Sequence, residues 1–386
     1  MKLPVWPVYS DEEVSAVNEV LHSGRVNYWT GKHGKEFEKE YAAYSGVKFG
    51  VAVANGSVGL TAALHALDIG KGDEVIVTPR SFFACASAIE LAGAKAKFAE
   101  VDRDSQNLTP NSIIASLTPR TKAILCVHLA GWPCDMPGIL KIARENKLSI
   151  IEDCAQAHGA MIGGKPVGSW GDIGVFSFCQ DKIISTGGEG GMLVTDSRNL
   201  YEKLWSYKDH GKSYSAVHSK THLPGFMWLH ESFGTNLRMT EMQASIGRLQ
   251  LKKLDDWVAK RSDNANFLAD QLRDIECLRI PMPAENIYHS YYKFYVFVRP
   301  ALLKKNWNRD RIIKKFSKHG IPGLSGSCPE IYLEKAFNDR NHKRLPVAKE
   351  LGETSIMFEV HPTLDNEHLK YIAQEASKIL LESQIK

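Results

Sequence analysis

Neither sign of charge dominates this 386-residue chain: 48 Lys and Arg are interspersed with 44 Asp and Glu, a formal net charge of +4. Basic blocks with interleaved aromatics are missing, so nucleic acid is not an expected partner. No apolar run reaches the roughly 20 residues of a membrane span, so membrane insertion is not expected. The opening MKLPVWPVYS lacks the charged and apolar regions of a secretory signal. Cysteine is sparse, and its seven copies show no paired metal spacing. An odd, scattered set reads as buried or free thiols of a reducing cytoplasm, not as a disulfide framework or a zinc site. Internal repeats and low-complexity tracts are also lacking. A cytoplasmic globular chain remains, too long for one small domain and suited to a large domain plus a smaller one.

What is present is an alternation of strand and helix patterns. Residues 11–23 (DEEVSAVNEVLHS) predict an opening helix, acidic in its first turn and ended by Gly24. Residues 35–45 predict a second, with Phe37, Tyr41 and Tyr44 as its apolar contribution. FGVAVANGS (49–57) reads as strand and tight turn, followed by the helix VGLTAALHAL. The rhythm repeats over 73–102, then as a strand over 121–131, a helix over 136–147, and LSIIEDCAQAHGA. Such alternation argues for an α/β domain with a mainly parallel sheet and covering helices. A long helical stretch with alternating charge covers 240–275, and Pro281 and Pro283 mark a linker after it. A strand over 291–300 and helices over 309–320 and 366–383 then form a smaller α+β domain. The expected division is therefore 1–275 and 276–386, with a substrate crevice between.

The chemistry centres on FSFCQDKIISTGGEGGM (176–192). Its single lysine, Lys182, follows an apolar segment and precedes glycines at 187, 188, 190 and 191. Glycines there let backbone and a ligand approach closely. Burial lowers the pKa of a lysine, and a neutral amine can condense with an aldehyde, as a Schiff-base lysine does with pyridoxal phosphate. A plain glycine-rich turn reads equally well. Upstream, Leu148–Ile151 is an apolar run ending in Glu152 and Asp153. A carboxylate at such a strand end faces the crevice where open α/β sheets bind ligands, and one there could keep a pyridine nitrogen protonated. Its alternative is a cap or a solvated turn. The Asn55-Gly56-Ser57 turn opens a helix, where free amides and the helix dipole favour an anion. Ser57 as a simple N-cap is the other reading.

Taken in order, NGS (55–57), IEDCAQAHGA (151–160), FSFCQDKIISTGGEGG (176–191) and GTNLRMTEMQASIG (234–247) resemble the DegT/DnrJ/EryC1/StrS sugar aminotransferases. The resemblance runs from SGRVNYWTGKHGKEFEKEY to the VHP of 360–362. It implies a fold-type-I, aspartate-aminotransferase-like architecture. It also implies pyridoxal 5'-phosphate, alternating with pyridoxamine 5'-phosphate, and an amino-acid donor, usually glutamate. The implied acceptor is a nucleotide-linked keto sugar, and the implied setting is amino-sugar biosynthesis for cell-surface polysaccharide such as O-antigen lipopolysaccharide. Residue by residue, Lys182 holds the cofactor and moves protons, and Asp153 pairs with the ring nitrogen. Gly56, Ser57 and Ser177 bind the phosphate. Phe82 stacks on the ring, with Phe83 or core packing as its competitors. Gln156 lies beside a ring substituent, or is a polar helix-start residue. Asn236 reaches the phosphate of a neighbouring subunit, or is an exposed loop residue; the first role requires a two-fold dimer, or a dimer of dimers.

One departure is clear. Cys179-Gln180-Asp181 stands where many relatives carry His-Pro or similar residues, and an acid beside the lysine could alter its pKa. By analogy, Tyr28, Trp29, His210, Trp228 and His230 are expected to line the sugar crevice, with Lys32, Lys208 and Lys212 meeting the diphosphate. Ordinary packing is the other outcome for these residues. The opening NYWTGKHGKEFEKEY and the intact Lys182 resemble the branch that aminates a 4-keto-6-deoxyhexose at carbon 4; the 3-keto branch is its closest rival. A cysteine desulfurase shares the fold, and Ser325-Gly326-Ser327-Cys328 is similar to a mobile cysteine loop. Those enzymes, however, place a histidine where Asp181 stands. A non-catalytic nucleotide-sugar-binding regulator would need a DNA-reading helix with a basic face, and none is found.

Overall fold

The structure, a computed structural model, describes residues 1–219, 228–337 and 342–385. Its centre is a seven-stranded sheet in the order Phe49–Val53, Gly191–Thr195, Ile173–Ser177, Ser149–Asp153, Thr121–Val127, Glu74–Val77, Lys95–Phe98. Only Gly191–Thr195 runs antiparallel to its neighbours; the other six strands point one way. The inner strands are buried on both faces, which is why they read as near-continuous Val, Ile and Leu and not as alternating patterns. The expected α/β class with a mainly parallel sheet is thus the class found.

A second sheet of four short antiparallel strands lies between Leu278 and Phe358, in the order Leu278–Arg279, Phe294–Val298, Ser355–Phe358, Gly323–Leu324. The helices Arg309–Lys318 and Asn366–Ser383 share its core through Ile312, Phe316, Ile372 and Leu380. The 32-residue helix Glu241–Leu272 runs through both regions. Leu254 and Val258 belong to the core beside the large sheet, and Ala265, Leu268 and Leu272 to that of the small one. Spacings of three and four keep these residues on one face. We propose residue 275, just past this helix, as the edge between the two lobes. No helix among the described residues is long and apolar enough to cross a membrane.

The opening and closing helices fall at 11–23 and 366–383 as expected, with Gly24 left-handed at φ 66°. Other boundaries move for local reasons. The second helix spans His33–Tyr44, because the Glu241 carboxylate accepts the His33 and Gly34 amides and caps it from far along the chain. The strand expected over 121–131 ends at Val127, since Ala130 and Gly131 turn with φ of 58° and 97°. The strand expected over 291–300 starts only at Phe294, after left-handed Tyr291.

Candidate active site

Asp153 and Ser177 are the last residues of adjacent strands, and Asn55–Ser57 follow a third after Ala54. All therefore stand at the carboxyl edge of the sheet, the usual ligand edge of open α/β folds. They open into one cavity of about 830 Å³. Its opposite wall comes from the second-sheet region, through Tyr292, Lys293, Tyr295, Met357 and Glu359. Seven of the eight expected site residues line it: Gly56, Ser57, Phe82, Asp153, Gln156, Ser177 and Lys182.

Local hydrogen bonding decides several of the open readings. Asn55 is the N-cap of the helix Gly56–Ala66, its Oδ1 accepting the Val58 amide at 3.0 Å. Ser57 is thus not the cap, and its hydroxyl is spared. The Gly56 and Ser57 amides have no acceptor among the described residues and sit at the positive end of the helix dipole. A Cβ on Gly56 would lie 2.8 Å from the Ser177 Cβ, so these two segments touch. A Cβ on Gly191 would lie 2.6 Å from the Asn55 carbonyl carbon, so only glycine lets the lysine loop return beside this turn. Phe82 is 68% exposed and lines the cavity, whereas Phe83 packs edge-on against Phe337. Gln156 Oε1 accepts the Ala130 amide at 2.8 Å, which leaves its NH₂ end for a ligand.

Asp153 is buried, and its Oδ1 accepts the Ala155 amide at 3.0 Å, so it turns the chain and faces the cavity at once. Burial raises its carboxyl above the usual range, against the pull of that amide and of Lys182. A cation placed before it would offset that cost. Behind it, Glu152 is buried with both oxygens occupied by His128 at 3.0 Å and by the Gly168, Trp170 and Gly171 amides. Burial alone would raise the Glu152 carboxyl, but these partners hold it below its ordinary range. His128, Glu152 and Cys154 lie within metal-binding distance of one another, yet Glu152 has no lone pair to spare. His158 braces Ser177 from below: its Nε2 meets the Ser177 carbonyl at 2.9 Å and its Nδ1 the Tyr41 hydroxyl at 2.7 Å. A carbonyl only accepts, so Nε2 carries the hydrogen and Tyr41 donates to Nδ1. Burial lowers the His158 pKa to about 3 and keeps the ring neutral.

Lys182 Nζ lies 3.5 Å from Asp181 Oδ1 and 4.9 Å from the Tyr292 ring centroid. Burial works to raise the Asp181 carboxyl, but Lys182, the Tyr292 hydroxyl and Lys293 together hold it below the usual range. Neither Tyr292 nor Trp6, which donates to the Lys182 carbonyl, carried any local sequence signal. The set fits pyridoxal phosphate: unpaired helix-start amides and a serine for the phosphate, a buried carboxylate for the ring nitrogen, and an amine.

Other expected residues lie outside this cavity in the single chain. Tyr28, Trp29, His210, Trp228, His230, Lys32, Lys208 and Lys212 do not line this cavity. Tyr28 is buried with its hydroxyl on Glu38, and Lys208 is fully buried, 3.0 Å from Glu38 and 3.8 Å from the Tyr28 ring centroid. Lys212 pairs with Asp209 at 3.0 Å. Trp29 meets Trp205 edge-on. Tyr28 and Lys32 border a separate cavity of about 440 Å³. His210, His230 and the 84%-exposed Trp228 lie at the surface. Asn236 is also exposed and outside the Lys182 cavity; its Oδ1 accepts the Arg238 amide at 3.3 Å. Cys328 does line the cavity, but burial, reinforced by Glu334, pushes its thiol up to about 11. At neutral pH it is a thiol, a poor nucleophile for desulfuration.

The chain is 51% identical to a solved aminotransferase from Psychrobacter cryohalolentis, with a TM-score of 0.97 and 99% of each chain covered. It is 33% identical to the GDP-perosamine synthase of Escherichia coli O157:H7, covering 97% of this chain and 98% of that one. It is 36% identical to the UDP-N-acetyl-3-dehydro-alpha-D-glucosamine 3-aminotransferase of Acidithiobacillus ferrooxidans, covering 94% and 92%. The family model for these enzymes matches residues 7–377. A lysine, a buried carboxylate and a phosphate cradle at one sheet edge are what its cofactor chemistry needs, and the chain belongs to the DegT/DnrJ/EryC1/StrS aminotransferase family, whose enzymes depend on pyridoxal phosphate.

Proposed function

We propose that this aminotransferase moves an amino group from an amino acid, glutamate, to carbon 4 of a nucleotide-linked 4-keto-6-deoxy sugar, in the making of cell-surface polysaccharide. The observation that carries the aminotransferase part is the meeting of Lys182, Asp153 and the Gly56-Ser57-Ser177 cradle in one cavity. The relatives named above support a nucleotide-linked sugar as acceptor. Bound pyridoxal phosphate supplies an aldehyde for the incoming amine and a ring that takes up electrons from the reacting carbon. The chain does the rest. The Gly56 and Ser57 amides with Ser177 Oγ hold the phosphate. Phe82 and the Gln156 NH₂, which line the same cavity, would hold the ring. Asp153 keeps positive charge on the ring nitrogen. Lys182 Nζ takes the proton from the donor carbon and returns it one position away, then runs the same transfer in reverse for the acceptor. The relative that acts on a 3-dehydro sugar, at 36% identity, favours carbon 3 as the second reading.

The positional reading is tested with glutamate, pyridoxal phosphate and either a 4-keto or a 3-keto nucleotide sugar, followed by mass spectrometry. The expected result is amination of the 4-keto substrate. Amination only at carbon 3 overturns the position, and activity on free keto acids alone overturns the substrate class.

We also propose a homodimer with shared sites, because the exposed Asn236 lies outside its own chain's cavity. Mixing inactive Lys182→Ala chains with Asn236→Ala chains then builds hybrids in which one site has both residues intact. Activity is expected to reappear after exchange. A fully active monomer in sedimentation would rule the shared site out.

A further inference from the structure

Lys182 is held at both ends by residues far apart in sequence. Its carbonyl accepts the Trp6 Nε1 hydrogen at 2.7 Å, across 176 positions. Its Nζ lies against Asp181, and the Tyr292 hydroxyl donates to the other Asp181 oxygen. The Tyr292 carbonyl accepts Arg261 Nη1 at 3.2 Å. The Arg261 guanidinium stands 5.0 Å from the Trp6 ring, which Trp257 meets edge-on at 5.0 Å and His361 stacks at 6.3 Å. The path therefore closes on itself: Lys182 carbonyl, Trp6, Arg261, Tyr292, Asp181, Lys182 amine.

Two features separate this ring of contacts from ordinary packing. Arg261 is buried with its Nε and Nη2 unpaired. A buried, half-satisfied cation is a poor stabiliser, since an apolar side chain of similar volume commonly does as well or better. The segment it braces also needs bracing. Gly187 and Gly188, both at positive φ, follow Lys182 closely, and Tyr9 ties the same loop again through Ser185 Oγ at 3.1 Å.

We propose that Trp6, Arg261, Tyr292 and Asp181 form a positioning circuit that aims the Lys182 amine, fixing its backbone through the N-terminal segment and its side chain through the second-sheet lobe. This rests on the reading of Lys182 as the proton carrier. The circuit fixes where the amine waits when it is not bonded to the cofactor: between a carboxylate and the face of a tyrosine. A displacement of about 1 Å at a reacting group can lower a rate by about 10²-fold, so partial loosening should be visible in kcat.

The test uses Trp6→Phe, which keeps a smaller aromatic ring against Trp257 and Arg261 and removes the donor, and Tyr292→Phe, which removes only the hydroxyl. Each is expected to lower kcat by about tenfold with KM within about twofold. The double variant should lose little more than either single one, because both act on the same lysine pose. A second readout is independent of turnover. The rate at which cofactor-free protein captures free pyridoxal on Lys182, trapped with borohydride and located by mass spectrometry, should fall in parallel in both variants. Unchanged capture in the two single variants overturns the circuit even if turnover falls. So do losses that multiply in the double variant, or losses that follow a lowered melting temperature. Labelling of a different lysine in the unaltered protein would instead refute the role of Lys182 itself.

Discussion

Lys182→Ala should lose turnover by about 10⁴-fold or more, since one substitution removes both the amine that bonds the cofactor and the group that moves the proton. The unaltered protein is expected to be yellow when purified, and the variant to lose the visible band of the covalently held cofactor. The geometry also names the rival. Lys293 lines the same cavity, but its ammonium is held 2.9 Å from Glu359 and so is committed to a carboxylate. Borohydride reduction followed by peptide mapping distinguishes the two. A label on Lys182 is expected, and a label on Lys293 would overturn the assignment.

Asp153→Asn should reduce kcat by about 10²-fold or more, the scale on which losing a preorganised charge at the reacting centre is felt. Asparagine keeps the size, and its carbonyl can still accept the Ala155 amide, so the turn after the strand should survive. It cannot keep a ring nitrogen protonated. The proposed phosphate contacts lie elsewhere, on Gly56, Ser57 and Ser177. Cofactor content, measured after release in alkali, should therefore stay close to that of the unaltered protein while turnover falls. Near-normal kcat would mean that Asp153 serves only the turn. Lost cofactor would mean that its charge acts in binding more than in chemistry.

These two residues were legible in the sequence because each terminates a pattern. Asp153 ends an apolar strand, and Lys182 sits between an apolar strand and a glycine run. The helices 11–23 and 366–383 were legible for a related reason: apolar period, first-turn acids and caps are all local. Non-local partners left no such trace. Lys208, grouped with Lys32 and Lys212 for the diphosphate, is instead fully buried, paired with Glu38 170 positions away. Trp6 stands between Pro4 and Pro7 with nothing local to mark its partner, the Lys182 carbonyl. The aromatic and basic loop residues were grouped by their chemistry alone, and chemistry does not say which wall of the molecule a loop turns toward. Phe82 and Phe83 show the limit at its narrowest, since adjacent identical side chains take opposite roles according to where a helix begins.

The antiparallel strand Gly191–Thr195 also sets an order of events during synthesis. Among the described residues, the edge strand Phe49–Val53 has one neighbouring strand in its sheet, this one, which the ribosome delivers about 140 residues later. Until then the Asn55–Ser57 turn has no wall to close against, and the amides that would hold a phosphate are not yet a pocket. Long-range pairing of this kind is slow because a large loop must be closed before any contact forms. The nascent chain is therefore expected to be blind to its cofactor through the first half of translation and to gain affinity in a single late step. Arrested chains ending before and after residue 195 plus the span of the ribosomal tunnel should differ sharply in pyridoxal phosphate binding.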